Sequence, residues 1–165
     1  MSCSLRPLRH AHRVRLEQLT RDTGLFRDEE VATAVELLDE HLAGDEDYQF
    51  AGAFDGEELI GYACWGPTPG TEGTFDLYWI VVDRTCQGQG IGTKLLEEVE
   101  QRRTPHAARL MVVETSSRPD YAATRGFYEK RGYSRTATIP AYYAPGDDLV
   151  IYTKELRGDL ARAAP

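Results

Sequence analysis

Residues 86–96, CQGQGIGTKLL, set glycines at 88, 90 and 92 between an apolar run, FDLYWIVVD, and a leucine-bearing helical pattern. Each glycine weakens regular structure, so this density implies that something comes very close to the backbone. Backbone N–H groups freed of side chains can converge on a phosphate, and a helix N-terminus adds the positive end of its dipole. Gln87-x-x-Gly90-x-Gly92 opening a helix therefore predicts a pyrophosphate over Gly88 to Thr93, without a lysine cradle. A Walker loop would need GxxxxGK followed by Ser or Thr, and Thr93-Lys94 carries that pair reversed. A dinucleotide fingerprint would need GxGxxG with an acid about 20 residues on at a strand end, and the downstream pattern does not fit. A glycine-rich turn that holds no ligand stays open on the residues alone.

The loop needs a scaffold, and hydrophobic periodicity predicts one. CSLRPL reads as a first strand. His10 to Leu42 is helical in pattern and broken near Gly24, with Val31, Ala34, Val35, Leu38 and Leu42 on one face. Asp28, Glu29 and Glu30 suit a helix start and Gly44 a stop. YQFAGAFD and ELIGYACWG read as strands joined through Asp55-Gly56, a hairpin signal. TFDLYWIVVD follows as a long strand. A helix from about Gly90 to Arg103 turns Ile91, Leu95, Leu96 and Val99 inward, with a basic last turn and Pro105 as its stop.

ARLMVVET predicts another buried strand. Pro119-Asp120 opens a helix that Gly132 closes, with Ala123 and Phe127 spaced to share a face. YSRTATIPAYY and DLVIYTKEL predict a closing antiparallel pair around APGD. The order predicts an α/β (α+β) fold, with about seven strands in a mixed, mostly antiparallel sheet and about four helices.

Composition narrows the function class. Nineteen basic against 27 acidic residues, a net charge of −8, argue against a nucleic-acid binder, which needs a basic face. The same balance suits a cationic substrate such as an amine. The three cysteines, Cys3, Cys64 and Cys86, lack any CxxC or Cys/His ligand spacing, so neither a disulfide framework nor a metal is expected. Reduced thiols suit a cytoplasmic protein. No apolar run approaches the roughly 18 residues of a membrane helix, and no membrane partner or secretory leader is expected.

The run WIVVDRTCQGQGIGTKLL resembles the acetyl-CoA-binding motif of the GCN5-related N-acetyltransferase (GNAT) superfamily, strand–[Gln/Arg]xxGxG–helix. RGFYEKRGYS, residues 125–134, resembles that superfamily's second signature, a helix ending in FYxxxGF or FYxxxGY. Both occur in the family's order, with a strand between. The resemblance implies one GNAT domain over 1–156 with a short polar tail at 157–165. It implies direct acetyl transfer from acetyl-CoA to a primary amine. Cofactor contacts would come from Ile80, Val81 and Val82, with the main chain of Ile80 and Val82 pairing with the pantetheine amides. Gln87, Gly88, Gln89, Gly90, Ile91, Gly92 and Thr93 would follow, then Phe127, Tyr128 and Lys130.

Tyr128 matches the family's general-acid tyrosine: a phenol with a pKa of about 10 stays protonated at neutral pH and can donate to a departing thiolate. Asp76, eleven residues before Gln87, stands where histone-type members carry a catalytic glutamate, and Glu114 is the competing carboxylate. Glu114 also departs from the asparagine region that many members carry there. On the residues alone, Tyr128 could be a core aromatic and Asp76 a strand-start cap. YYAPGDDLVIY resembles, weakly, the YY…G-acid-Asp segment of enzymes that acetylate protein N-termini. A peptide amine and a small-molecule amine are thus both candidate acceptors. Phe26, Tyr78, Tyr142 and Tyr143 are expected to wall the acceptor, one of the adjacent tyrosines in the core and the other outward. A catalytically silent acyl-CoA sensor is the alternative, and a homodimer is compatible with either.

Overall fold

The computed structural model describes residues 2–102 and 108–156. The expected tail at 157–165 and the expected helix stop at Arg103 to Pro105 lie outside them. The described elements are β1 (Cys3–Arg6), α1 (Arg13–Asp22), α2 (Asp28–Leu42), β2 (Gln49–Asp55), β3 (Glu58–Pro67), β4 (Thr74–Val82), α3 (Ile91–Gln101), β5 (Leu110–Ser116), α4 (Ala122–Glu129), β6 (Ser134–Ala144) and β7 (Asp147–Glu155). The sheet order is β1-β2-β3-β4-β5-β7-β6. β4 and β5 run parallel, whereas β1–β2, β2–β3, β5–β7 and β6–β7 are antiparallel. No helix among the described residues is long and apolar enough to cross a membrane.

The chain divides into two compact units, Met1–Pro67 with Tyr78–Arg102, and Thr68–Leu77 with Arg103–Pro165. In the first unit, Leu59 to Gly66 of β3 are all buried, as expected of a strand covered on both faces. Val31, Ala34, Val35 and Leu38 give α2 its apolar stripe, and Leu16, Leu19 and Thr20 give α1 its own. The Thr20 hydroxyl donates to the Leu16 carbonyl at 2.8 Å and lies 2.6 Å from the Tyr62 phenol, so this buried hydroxyl is satisfied. α3 buries Ile91, Leu95, Leu96 and Val99. Each is worth roughly 1.5–3 kcal/mol, which outweighs a glycine-rich start costing about 1 kcal/mol per glycine.

α3 ends at Gln101 with no basic residue in its last turn, short of the expected Arg103. Arg102 has left the helix (ψ 92°), bonds Glu98 at 2.7 Å and lies over the Trp65 ring at 5.8 Å. The Glu98 pair is an i,i+4 contact of the helix itself, and the Arg102 N–H still donates to the Glu98 carbonyl at 3.0 Å, so it is the extended ψ at Arg102 that ends α3.

In the second unit, Met111, Val113, Leu149, Val150 and Tyr152 supply buried side chains. Of Ala123 and Phe127, spaced to share a face of α4, the first is exposed and the second half-buried; the buried residue of that helix is Tyr128. Every residue of β6, the last strand in the order, is exposed.

Candidate active site

The chain leaves β4 through a loop fixed by Asp83. Its N–H donates to the Ile60 carbonyl at 2.8 Å. Its carboxylate accepts from the Thr85 N–H (2.8 Å), the Thr85 hydroxyl (2.6 Å) and Arg15 (2.5 Å). The Thr85 bonds foremost, then Arg15, hold this carboxyl below its ordinary range. A 3₁₀ turn, Arg84–Cys86, follows and buries Cys86.

Gly88 (φ +77°) and Gly90 (φ +80°) then adopt the left-handed conformation, which costs other residues roughly 1–2 kcal/mol. A Cβ at either would meet nothing within 4 Å, so φ and an open space above the loop, not crowding by the protein, characterise these positions. Gly90 is the N-cap of α3, and no side chain caps that helix. Its first turn holds no acid, while Lys94 is exposed there and its N–H makes the first helical bond, to the Gly90 carbonyl at 3.0 Å. The N–H groups of Ile91 and Gly92 precede this first helical bond. Two left-handed glycines, an uncapped helix start and basic rather than acidic neighbours fit a pyrophosphate. Gln87, Gly88, Gln89 and Gly90 are exposed, Gly92 and Thr93 half-buried and Ile91 buried.

β4 continues past the last rung of its ladder with β5, Leu77↔Val113, to Val82. Val81 points into the core of the first unit, whereas Ile80 and Val82 are half-buried. Four aromatic rings of that unit stand in sequence. Phe26 meets Trp79 at 6.4 Å, Trp79 meets Tyr78 at 6.0 Å, and Tyr78 meets Tyr48 at 5.7 Å. Phe26 and Tyr78 were expected from the sequence; Trp79 and Tyr48 were not.

In the second unit Tyr128 is 5% exposed, edge-on to Phe127 at 5.2 Å and to Tyr133 at 5.4 Å. Its hydroxyl has no hydrogen-bond partner among the described residues, and burial alone pushes its pKa up. Arg131 covers the Phe127 ring at 3.7 Å, and Lys130 is exposed beyond the end of α4.

The two carboxylates are brought together by register. Asp76 faces Val112 across the parallel ladder, and Glu114 lies two residues further along β5 on the same side of the pleat. Asp76 accepts from the Thr68 hydroxyl at 2.7 Å, a partner that spacing could not reveal. Glu114 is reached by solvent, yet partial burial first, and the Asp76 charge second, raise its pKa. Tyr143 is pushed up to about 12, by burial first and the Glu114 charge next. Tyr142 and Tyr143 meet edge to face at 5.0 Å, and both are exposed (55% and 46%). Neither is in the core, against the expectation of one inward ring.

The model of the acetyltransferase (GNAT) family matches residues 13–133. A Desulfovibrio desulfuricans protein of known structure, assigned as a GNAT-family acetyltransferase, is 40% identical. That match covers 94% of this chain and 100% of the other, with a TM-score of 0.91. The S-(2-succino)cysteine N-acetyltransferase of Bacillus subtilis strain 168 is 30% identical over 96 residues, 58% of this chain and 57% of that protein. The chain spans about half the length of the curated relatives it matches. YncA of Salmonella typhimurium, assigned as an acetyltransferase and solved with acetyl-CoA as its cofactor, is 20% identical. It covers 100% of this chain and 98% of its own at a TM-score of 0.76, a likeness of fold alone.

Proposed function

The chain belongs to the acetyltransferase (GNAT) family, and on that premise we propose that it moves an acetyl group from acetyl-CoA to a primary amine. The observation that carries this reading is the loop from Gly88 to Thr93, whose left-handed glycines and uncapped, acid-free helix start suit a pyrophosphate. Acetyl-CoA, when bound, supplies an activated thioester. The β4 main chain at Ile80 and Val82 would hold the pantetheine arm by strand addition. Tyr128 would give its hydroxyl proton to the departing thiolate, a role supported by its burial and by a hydroxyl without a partner among the described residues. Unpaired thiols at Cys3, Cys64 and Cys86 support a cytoplasmic setting.

Two carboxylates and a tyrosine pair favour an ammonium-bearing acceptor. The test is thiol release from acetyl-CoA with S-(2-succino)cysteine, spermidine and trialanine, each product identified by mass. Steady turnover with one of them supports the enzyme. Tight stoichiometric acetyl-CoA binding without turnover would make the chain a sensor instead.

Glu114 is the better supported base, because its proton is held to higher pH than that of an ordinary glutamate. Glu114→Gln is expected to lower kcat roughly tenfold at neutral pH, less than loss of a sole base, because Asp76 remains beside it. Activity should recover in part at high pH, where the amine deprotonates unaided. Stability should move the other way. The folded state binds this proton more tightly than the unfolded state, so stability falls as pH rises from the unfolded pKa through the raised folded one. Gln removes that loss, so the variant's Tm should exceed wild type at pH 7 and converge with it below about pH 4. Asp76→Asn should shift the acid limb of the pH–rate profile to lower pH, by removing the charge that raises Glu114. Abolition of that limb in Asp76→Asn, with Glu114→Gln unaffected, would assign the base to Asp76.

Tyr142 and Tyr143 are an exposed aromatic pair, Tyr143 within the influence of the Glu114 charge, and at least one should contact the acceptor. Single Tyr→Ala changes are expected to raise the acceptor KM several-fold while the acetyl-CoA KM stays near wild type. Two folded variants with unaltered acceptor KM would send the acceptor elsewhere and remove the peptide-like resemblance from the argument.

A further inference from the structure

The β6–β7 hairpin contains one backbone conformation that its sequence disfavours. Ala141 has φ +52°, and among the described residues it is the one non-glycine with positive φ. The left-handed region costs a Cβ-bearing residue roughly 1–2 kcal/mol, and such strain persists where surrounding contacts over-determine it. The ladder explains what it serves. Ile139 pairs with Leu149 and Ala144 with Asp147, so Pro140, Ala141, Tyr142 and Tyr143 on β6 face the single residue Asp148 on β7. This bulge sets the adjacent tyrosines in a break of the ladder, and both are exposed, as is the rest of β6.

Asp148 is tied on both sides. Its Oδ1 accepts from the Ala141 N–H at 2.8 Å, inside the bulge. Its own N–H donates to the Ser117 hydroxyl at 2.8 Å, and its carbonyl accepts from the Ser117 N–H at 2.9 Å. Ser117 follows directly on β5, the strand that carries Glu114. One residue therefore fastens the tyrosine-bearing bulge to the carboxylate-bearing strand.

We infer that Asp148 is a positioning residue: by clamping the Ala141 N–H it holds the Pro140–Tyr143 bulge in one conformation, fixes Tyr142 and Tyr143, and so determines which acceptor amines are taken. This rests on the acetyltransferase reading for its selectivity, but the clamp itself does not. A merely structural hairpin contact would lower stability and leave the ratio of KM values alone.

The experiment compares Asp148→Ala, Asp148→Asn and Ala141→Val with wild type, using whichever of S-(2-succino)cysteine, spermidine and trialanine wild type acetylates fastest. Asp148→Ala should raise the acceptor KM about tenfold, the loss expected of one charge-assisted hydrogen bond, with the acetyl-CoA KM within about twofold. Asn keeps an acceptor oxygen and should restore most of that loss. Ala141→Val leaves Asp148 untouched but cannot hold the left-handed turn, so it should reproduce the Ala phenotype even where Asp148→Ala fails to fold. The second readout needs no turnover. With ring-labelled tyrosine, NMR titration should show the Tyr143 phenol, raised in wild type by burial first and then by Glu114, Tyr142, Tyr121 and Asp147, falling toward about 10 in Asp148→Ala and Ala141→Val. An unchanged acceptor KM and an unchanged Tyr143 titration in both variants overturn the clamp. So does an Asn variant as impaired as the Ala one. A wild type that binds acetyl-CoA tightly and stoichiometrically but turns over none of the three amines, with the Tyr143 titration moving as expected, removes the acetyltransferase reading and leaves the clamp standing.

Discussion

Tyr128→Phe is expected to lower kcat by roughly 10²-fold, at the low end of what general acid–base catalysis supplies. The substitution is close to ideal as a probe. The ring is buried between Phe127 and Tyr133, and Phe preserves both edge-on contacts. The hydroxyl has no hydrogen-bond partner among the described residues, so its removal leaves no buried group orphaned and the variant should fold with near wild-type stability. Burial pushes the phenol pKa up, which keeps the proton in place throughout the working range and available to a leaving thiolate. Acetyl-CoA affinity, measured by calorimetry, should change less than about twofold, because the proton is needed only as the thioester breaks. The competing reading, a core aromatic, predicts wild-type kcat, and a kcat within twofold of wild type would establish it.

Local patterns carried most of the scaffold. The apolar stripes of α2 and α3 and the hairpin signal at Asp55-Gly56 each followed from a single segment, because burial on one face or a two-residue turn is written into that segment alone. Contacts between distant segments were not visible in this way. Arg102 turns to an extended ψ at the end of α3 and lies over Trp65, far away in sequence, and helical periodicity registers neither. Ala123 and Phe127 share a face by spacing, yet the residue that α4 buries is Tyr128, which spacing did not single out.

The candidate site divides the same way. The glycine loop was legible because its requirement, positive φ at the start of a helix, is local. The approach of Asp76 to Glu114 was not, because it depends on the Thr74↔Leu110 register of a parallel pair. Pro140 was the available signal for the bulge, since proline inside a strand marks an edge or an irregularity. Alternation continued through it allowed one buried tyrosine, whereas every residue of β6, the terminal strand of the sheet order, is exposed.

Gly90→Asp should weaken acetyl-CoA binding by well over tenfold, a loss of at least about 1.4 kcal/mol, without unfolding the protein. Two effects of opposite sign make the variant informative. At φ +80° an aspartate is strained, but it tolerates the left-handed region better than most residues, and its Cβ would meet nothing within 4 Å. Its carboxylate would stand at the positive end of α3, where a negative charge is favourable by about 0.3–1 kcal/mol. Stability should therefore change little. The same carboxylate would occupy the space over the helix start and repel a pyrophosphate there. Gly90→Ala separates the two contributions, adding backbone strain without charge, so its affinity loss should be the smaller. Part of the Asp loss should also be regained in high salt, which screens exposed charges, whereas the Ala loss should not be. Calorimetry with acetyl-CoA on folded variants measures both. If Gly90→Asp binds as tightly as wild type, the pyrophosphate does not lie over this loop, and the left-handed glycines serve only to turn the chain from β4 into α3.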